Sequence, residues 1–301
     1  MDMFSEMLSK GGLSLDRLHN FCRIAEAGGI TRAARGDLGK QSLYSRQIKE
    51  LEAFFGVELK VRVGKGMALT DAGRQLARLT RAHLIGLSDF QRTAQKMPQR
   101  ISIGSGNSVI EWILVPRMEL LCKALPGARF ECFADRTRVI LSRLLDLTLD
   151  VGIIRADAAR RPLKAKPLTT ITYSLFIPRN LSPGVSKKNI RQRLAHIPLA
   201  TSISGQFRET LTTGAEKSGW PLKIVISCSS FTQAARLVFS GSHGGVLPGI
   251  ARVELDPSSI VEIPLPFLKN YSRKLCVAWN PRLLEVRSSI GIAVDALTAD
   301  V

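Results

Sequence analysis

The run Leu18–Gly73, LHNFCRIAEAGGITRAARGDLGKQSLYSRQIKELEAFFGVELKVRVGKGMALTDAG, decides how this chain is read. With Leu15 just upstream, Leu18, Phe21, Cys22 and Ala25 fall on one face of a helix over Leu15–Ala27. Ser14 is placed to cap it and Gly28-Gly29 to end it. Thr31 is placed to cap a second, short helix whose Ala33-Ala34 pair lets a neighbour pack closely, and Gly36–Gly39 reads as a turn. The spacing of Tyr44, Ile48, Leu51 and Phe55 predicts a third helix over about Gln41–Phe55, with Gln41, Ser42, Ser45, Arg46 and Lys49 on its other side. An apolar face against a polar, cationic one is how a helix-turn-helix packs its second helix and offers donors to the major groove. A merely solvated surface gives the same polar face, so the next segment matters. Leu59–Val63 and Met67–Thr70 are strand-like runs around Gly64-Lys65-Gly66, a basic hairpin. A helix followed by such a hairpin makes a wing that brings Arg62 and Lys65 near phosphates. The candidate DNA contacts are Thr31, Arg32, Lys40, Gln41, Ser42, Ser45, Arg46, Lys49, Arg62 and Lys65.

Thr70 is placed to cap a long helix reaching about Lys96, in which Leu76, Leu79, His83, Leu87, Phe90 and Ala94 recur every three or four residues. At ~1.5 Å per residue it spans roughly 40 Å, too long for the preceding head to cover. Its stripe is therefore expected against a second subunit. His83 has no second ligand at helical spacing, so it is read as a seam or edge residue and not as a metal ligand. Pro98 is expected to end the helix.

From Arg100 the pattern alternates strands and helices: Ile101–Gly104, a helix from Met118 to Ala124, Phe130–Phe133, helical Val139–Leu147, then Val151–Ile154. Such alternation predicts parallel sheets with crossover helices, and ligands at the carboxyl ends of the strands.

Residues 15–73 resemble the N-terminal domain of LysR-type transcriptional regulators through Phe21, Ala33-Ala34, Gln41, Ser45-Arg46-Gln47-Ile48, Leu51-Glu52, Gly56, Leu59, Arg62, Leu69-Thr70 and Ala72-Gly73. Asp37, Ser42, Tyr44 and Lys60 depart from the pattern, which touches the turn, the wing packing and the choice of operator. The second half is similar to the effector domain of the same family through the ISIG strand, the Pro116 helix, Leu149–Ile153, His196–Leu199, Gly219-Trp220-Pro221 and Val238–Pro248, with His243 as a departure.

The resemblance implies an α/β chain in several parts. These are a tail (1–12), a winged helix-turn-helix (13–70), a linker and dimerisation helix (71–98), and a two-lobed α/β domain like those of periplasmic binding proteins (99–301). Lobe I is expected over 99–165 and 270–301 and lobe II over 166–269, with crossings near Leu163–Pro167 and Lys269–Lys274. It further implies a small molecule between the lobes, near Ser105, Asn107 and Ser108, Arg136, Thr137 and Arg138, Arg155, and Thr201, Ser202 and Ser204. Serines after strands are also ordinary caps and turns. Taken together they suit a carboxylate or another anion, with an arginine as counter-charge. The implied partners are operator DNA, an organic-acid effector and further copies of the chain, as a homotetramer or a dimer. Alternatives are a constitutive regulator without an effector, a solute-binding protein on the same scaffold, or an enzyme.

The bulk numbers agree without deciding. At 301 residues, with 45% apolar and 23% charged residues, the chain can bury a large core without staples. The net charge is +18, yet residues 1–98 carry 16 basic against 10 acidic groups and residues 99–301 carry 27 against 15. Most of the excess thus lies outside the head, so the motif and not the charge points to nucleic acid. The five cysteines are scattered without a CxxC pair and read as reduced core residues, with a redox pair of Cys122 and Cys132 as the alternative. No metal or cofactor is expected. Hydrolase, metalloprotease and nucleotide-binding motifs are missing from the sequence. With neither a signal-peptide pattern nor a membrane-length apolar run, a cytoplasmic protein is expected.

Overall fold

The computed structural model describes residues 5, 9, 11–64, 66–181, 183, 189–203 and 205–299. They form two compact units.

The first unit opens with α1 (Leu15–Ala27), capped by the Ser14 hydroxyl, which accepts the Arg17 N–H at 3.2 Å. Gly28, at φ 68°, supplies the left-handed residue that ends it. Helix α2 (Ile30–Ala34) follows directly from Gly29, so Thr31 lies inside the helix and does not cap it. Helix α3 (Leu38–Phe55) starts three residues before the expected Gln41, because the Asp37 carboxylate accepts the Lys40 N–H at 3.0 Å. The turn shrinks to Arg35-Gly36, both at positive φ. Phe21, Ile24, Ala33, Ala34, Tyr44, Ile48, Leu51, Leu59 and Ala77 make the core. Ile24 takes the place expected of Leu15, which is 61% exposed, and Phe55 frays outward at the helix end. Strands β1 (Lys60–Val63) and β2 (Gly66–Leu69) pair antiparallel from Lys60↔Leu69 to Val63↔Gly66.

Helix α4 (Asp71–Ala94) is fixed to this head over several turns. The Thr70 hydroxyl accepts the Gly73 N–H at 3.0 Å and donates to the Glu58 carbonyl at 2.7 Å. The Cys22 thiol donates to the Ala77 carbonyl at 3.5 Å, and Arg81 pairs with Glu26 at 3.0 Å. Burial pushes the Cys22 thiol up to about 11. The unit also takes in Leu145–Thr148 and Pro281–Ser288. Arg81 donates to the Asp146 carbonyl, and Asp89 pairs with the buried Arg287. Gly73, Ala77, Thr80 and Arg81 face inward, whereas Leu79, His83, Leu87 and Phe90 are exposed in the single chain. The helix ends at Ala94 and not Lys96, which is left-handed at φ 53°.

The second unit builds β3 (Arg100–Ser105), α5 (Met118–Ala124), β4 (Arg129–Ala134), α6 (Thr137–Leu145), β5 (Val151–Arg155) and β6 (Lys164–Ile171). It continues with β7 (Tyr173–Pro178), β8 (Leu199–Ser202), α7 (Gly205–Lys217), β9 (Ile224–Cys228), α8 (Phe231–Phe239), β10 (Gly244–Pro248) and β11 (Ile260–Pro264). It closes with β12 (Arg273–Trp279) and α9 (Ser288–Thr298). Two five-stranded sheets result, in the orders β4-β3-β5-β12-β6 and β11-β7-β10-β8-β9. Both are mixed and not purely parallel as expected: β12 runs antiparallel to β5 and β6, and β7 to β10 and β11. Because β6 pairs with β12 from Lys164↔Trp279 to Ile171↔Arg273, with one register shift between Leu275 and Cys276, the chain leaves the first lobe at Thr172, beyond the expected Leu163–Pro167. The Asp150 carboxylate accepts both the Ser102 N–H and its hydroxyl at 2.8 Å, tying the start of β5 to β3.

Gly73 supplies a test of the head–helix contact. A Cβ there would lie 2.0 Å from the Leu59 carbonyl oxygen, a backbone atom that cannot turn aside. Glycine to alanine inside a helix normally stabilises by about 1 kcal/mol. Here Gly73→Ala is expected to destabilise by about 1–3 kcal/mol through overpacking, read from the denaturant midpoint. An unchanged or raised midpoint would contradict the contact.

Candidate functional site

Two sites emerge, one in each unit. In the head, burial of Tyr44, Ile48 and Leu51 turns the opposite face of α3 outward. Lys40, Ser42, Arg46 and Lys49 are exposed there, with Gln41 and Ser45 half-buried at its edge. Three of them are held by weak local contacts. The Lys40 ammonium is 3.5 Å from Asp37, the Ser42 hydroxyl donates to Leu38 at 3.1 Å, and Arg46 is 3.8 Å from Glu50. Thr31 and Arg32 are exposed on α2, where Arg32 donates to the Gly28 carbonyl at 2.6 Å. On the hairpin Arg62 is exposed and donates to the Gly64 carbonyl at 3.3 Å. Lys65 lies outside the described residues. Backbone donation by Lys40 holds the Asp37 carboxyl below its ordinary range, so the cap stays ionised. The early start of α3 also leaves Leu38 on its exposed first turn, 77% accessible, a residue the sequence reading did not mark.

In the second unit a cavity of about 690 Å³ gathers the ends of β3, β5, β8 and β12 and the start of α8. Ser105, Asn107, Ser108, Arg136, Thr137, Arg155 and Ser202 line it, as the resemblance implied. Arg138 and Thr201 do not. Arg138 points to solvent, and Thr201 is fully buried with its hydroxyl donated to the Val246 carbonyl at 3.2 Å. The Ser105 hydroxyl is likewise committed, to the Ile153 carbonyl at 2.7 Å, so that residue shapes the wall through its backbone. Ser204 lies outside the described residues. Arg155 is engaged by Gln206 at 3.0 Å and Asp157 at 3.3 Å.

The cavity also holds residues that the sequence reading missed. Tyr173 and Phe231 line it and pack with Phe207 and the half-buried Tyr271 as an aromatic cluster with ring centroids 4.6–5.9 Å apart. Burial pushes the Tyr173 phenol up to about 12, opposed by the nearby Arg273 and Arg155. Arg273 itself lines the cavity, 5.8 Å from the Tyr173 ring and 5.9 Å from that of Tyr271, and donates to the Tyr271 oxygen at 3.1 Å. Ser229 and Ser230 line it from the start of α8, where Ser230 caps the helix and the Gln233 side chain accepts the Ser229 N–H at 3.1 Å. That Ser-x-x-Gln spacing is a readable capping box. Nothing in the sequence separates Arg273 from the other basic residues of this half. Among the described residues no group of three or more His, Cys, Asp or Glu is placed to hold a metal.

Comparison with known proteins gives a family to each of the two parts of the chain. Residues 15–74 match the family described as "Bacterial regulatory helix-turn-helix protein, lysR family", and residues 94–287, more than half of the chain, match the "LysR substrate binding domain". The HTH-type transcriptional regulator BbuR of Bordetella bronchiseptica is 26% identical over 261 residues, covering 81% of this chain and 78% of that protein. Full-length OxyR from Pseudomonas aeruginosa, solved as a cysteine-to-aspartate variant, superposes with a TM-score of 0.64 at 18% identity, over 96% of this chain and 98% of the other. CbnR, solved full-length with its target DNA, gives 0.52 at 19% identity, over 93% and 100%. The winged head joined to a two-lobed domain, together with these matches, places the chain in the LysR family of DNA-binding transcriptional regulators.

Proposed function

We propose that this protein reads a specific operator with α3 and the hairpin, and that a small anion in the C-terminal cavity adjusts that binding. The observation that carries the reading is the division of α3 into a buried apolar face and an exposed face bearing Ser42, Ser45, Arg46 and Lys49. CbnR, which shares the fold, was captured on its target DNA, and that precedent supports the same use of the head here. Thr31, Arg32, Lys40, Gln41 and Arg62 complete the contact set, with Arg62 on the backbone. An anionic effector is supported by three cavity arginines, Arg136, Arg155 and Arg273, against a single lining acid, Asp135. Asn107, Ser108, Thr137 and Ser202 supply neutral donors beside them. The exposed Leu79, Leu87 and Phe90 of α4 support a dimer seam between two chains, with two dimers joining as a tetramer. No helix among the described residues is long and apolar enough to cross a membrane, and work on DNA puts the protein in the cytoplasm.

Removal of Arg46 as Arg46→Ala is expected to cost ~1–3 kcal/mol on the operator and to relax preference at one base position. Arg62→Ala should weaken all sequences alike and reduce the slope of log K against log salt by about one. Operator affinity unchanged in both variants, measured by fluorescence anisotropy across a salt series, would overturn the contact set. Leu79→Asp with Leu87→Asp places charge in the seam and is expected to yield monomers in sedimentation velocity. A wild-type monomer that binds operator tightly would contradict the assembly. For the effector, an anion at a hundred times its Kd should add about 2.7 kcal/mol of stability. It should also shift operator affinity, since it acts only by preferring one conformation. Silence of every organic and inorganic anion in thermal shift would leave a constitutive regulator as the better reading.

A further inference from the structure

Within the cavity the arginines are not equivalent. Arg155 has the Asp157 carboxylate at 3.3 Å and the Gln206 amide oxygen at 3.0 Å. Arg136 is exposed at the rim, next to Asp135. Arg273, half-buried, stands at the start of β12. Among the described residues it enters no ion pair, its Nε is buried without a hydrogen-bond partner, and its single neighbouring acceptor is the neutral Tyr271 hydroxyl. A partly buried cation without a counter-charge is costly, and such groups are normally paired. The neighbours shown for Arg273 are Ile171 across the ladder, the Tyr173 and Tyr271 rings, and Leu275 two residues on in the same strand, and the isoleucines Ile153 and Ile154 line the same cavity. The inner part of the site therefore offers one unbalanced positive charge and an apolar wall. A dicarboxylate or a phosphate would bring more negative charge than this inner wall balances.

We infer that the ligand is a monocarboxylate carrying an apolar body, with its carboxylate on Arg273 and its body against the isoleucine and aromatic wall. The inference rests on the cavity being the effector site, and it deepens that reading by naming the ligand class and the residue that anchors it. Arginine suits the task because its planar guanidinium presents paired donors to a carboxylate. The two tyrosine rings hold that plane in place.

The test is isothermal titration of the full-length protein with a fixed panel: benzoate, phenylacetate and isovalerate against succinate, citrate and inorganic phosphate, with benzyl alcohol as the uncharged control. Expected is binding of one or more of the three monocarboxylates and none of benzyl alcohol. In Arg273→Gln their affinity should fall about tenfold or more, the equivalent of about 1.4 kcal/mol. Arg273→Lys keeps the charge without the planar fork and should give a smaller fall. The order of ligands on the wild type needs no variant to fold, and operator binding by each variant reports that its head is intact. If only succinate, citrate or phosphate binds, the monocarboxylate inference is overturned while an anionic effector stands. Undiminished monocarboxylate binding in Arg273→Gln would overturn the anchor, and no binding by any panel anion would overturn the inference together with the anionic reading beneath it.

Discussion

Strand β12 enters the first sheet after the chain has built the whole second sheet, and it fills the slot between β5 and β6. Its pairings, Trp279↔Val151 on one side and Trp279↔Lys164 on the other, join residues more than a hundred positions apart. Without it β6 would have no partner and the first sheet would end at β5. The strand's alternation sends Arg273 and Leu275 toward the cavity, while Cys276, Val277 and Ala278 are buried within the lobe. The register on the β6 side slips between Leu275 and Cys276, which pair with Thr169 and Pro167 and leave Leu168 between them out of the ladder. Proline has no N–H to give a ladder, so a bulge on an edge strand is where it is tolerated. The same irregularity protects an edge that would otherwise invite pairing with another chain.

The head was legible because its signals are local. Ser14 and Thr70 cap where their spacing says, and Gly28 ends α1. Tyr44, Ile48 and Leu51 are buried at the periodicity that marks them. The misread start of α3 has a specific cause. Asp37 interrupts the expected pattern, yet a carboxylate at that place captures the Lys40 N–H and lengthens the helix by nearly a turn. Leu15 and Phe55 looked like core by spacing alone. They sit at helix ends, where no neighbour remains to cover them.

The second unit was legible in its strands and less so in its connections. Ser105, Asn107, Ser108, Arg136, Thr137, Arg155 and Ser202 gather around one cavity because each follows a strand whose carboxyl end opens there. Antiparallel pairing of β12 leaves no mark on sequence, since a buried strand reads alike in either direction. Arg273 was invisible for the same reason: its meaning comes from Ile171 and Tyr173, a hundred residues away in the chain and brought beside it by the sheet. Thr201 illustrates the converse, a hydroxyl on the right strand, one residue before Ser202, whose bond to Val246 removes it from the site.

The attachment of α4 has a mechanical consequence. At Thr70, Gly73, Ala77 and Arg81 the helix is bound to the head over three turns, with the Gly73 contact admitting no intervening atom. At ~1.5 Å per residue, the turns from Ala82 to Ala94 project roughly 18 Å further as a stiff rod. Head and rod are therefore joined along this stretch through Glu58, Leu59, Cys22 and Glu26. A displacement of the helix near Asp89, where Arg287 pairs with it, would carry the head along, because the joint at Gly73 leaves no room for slack.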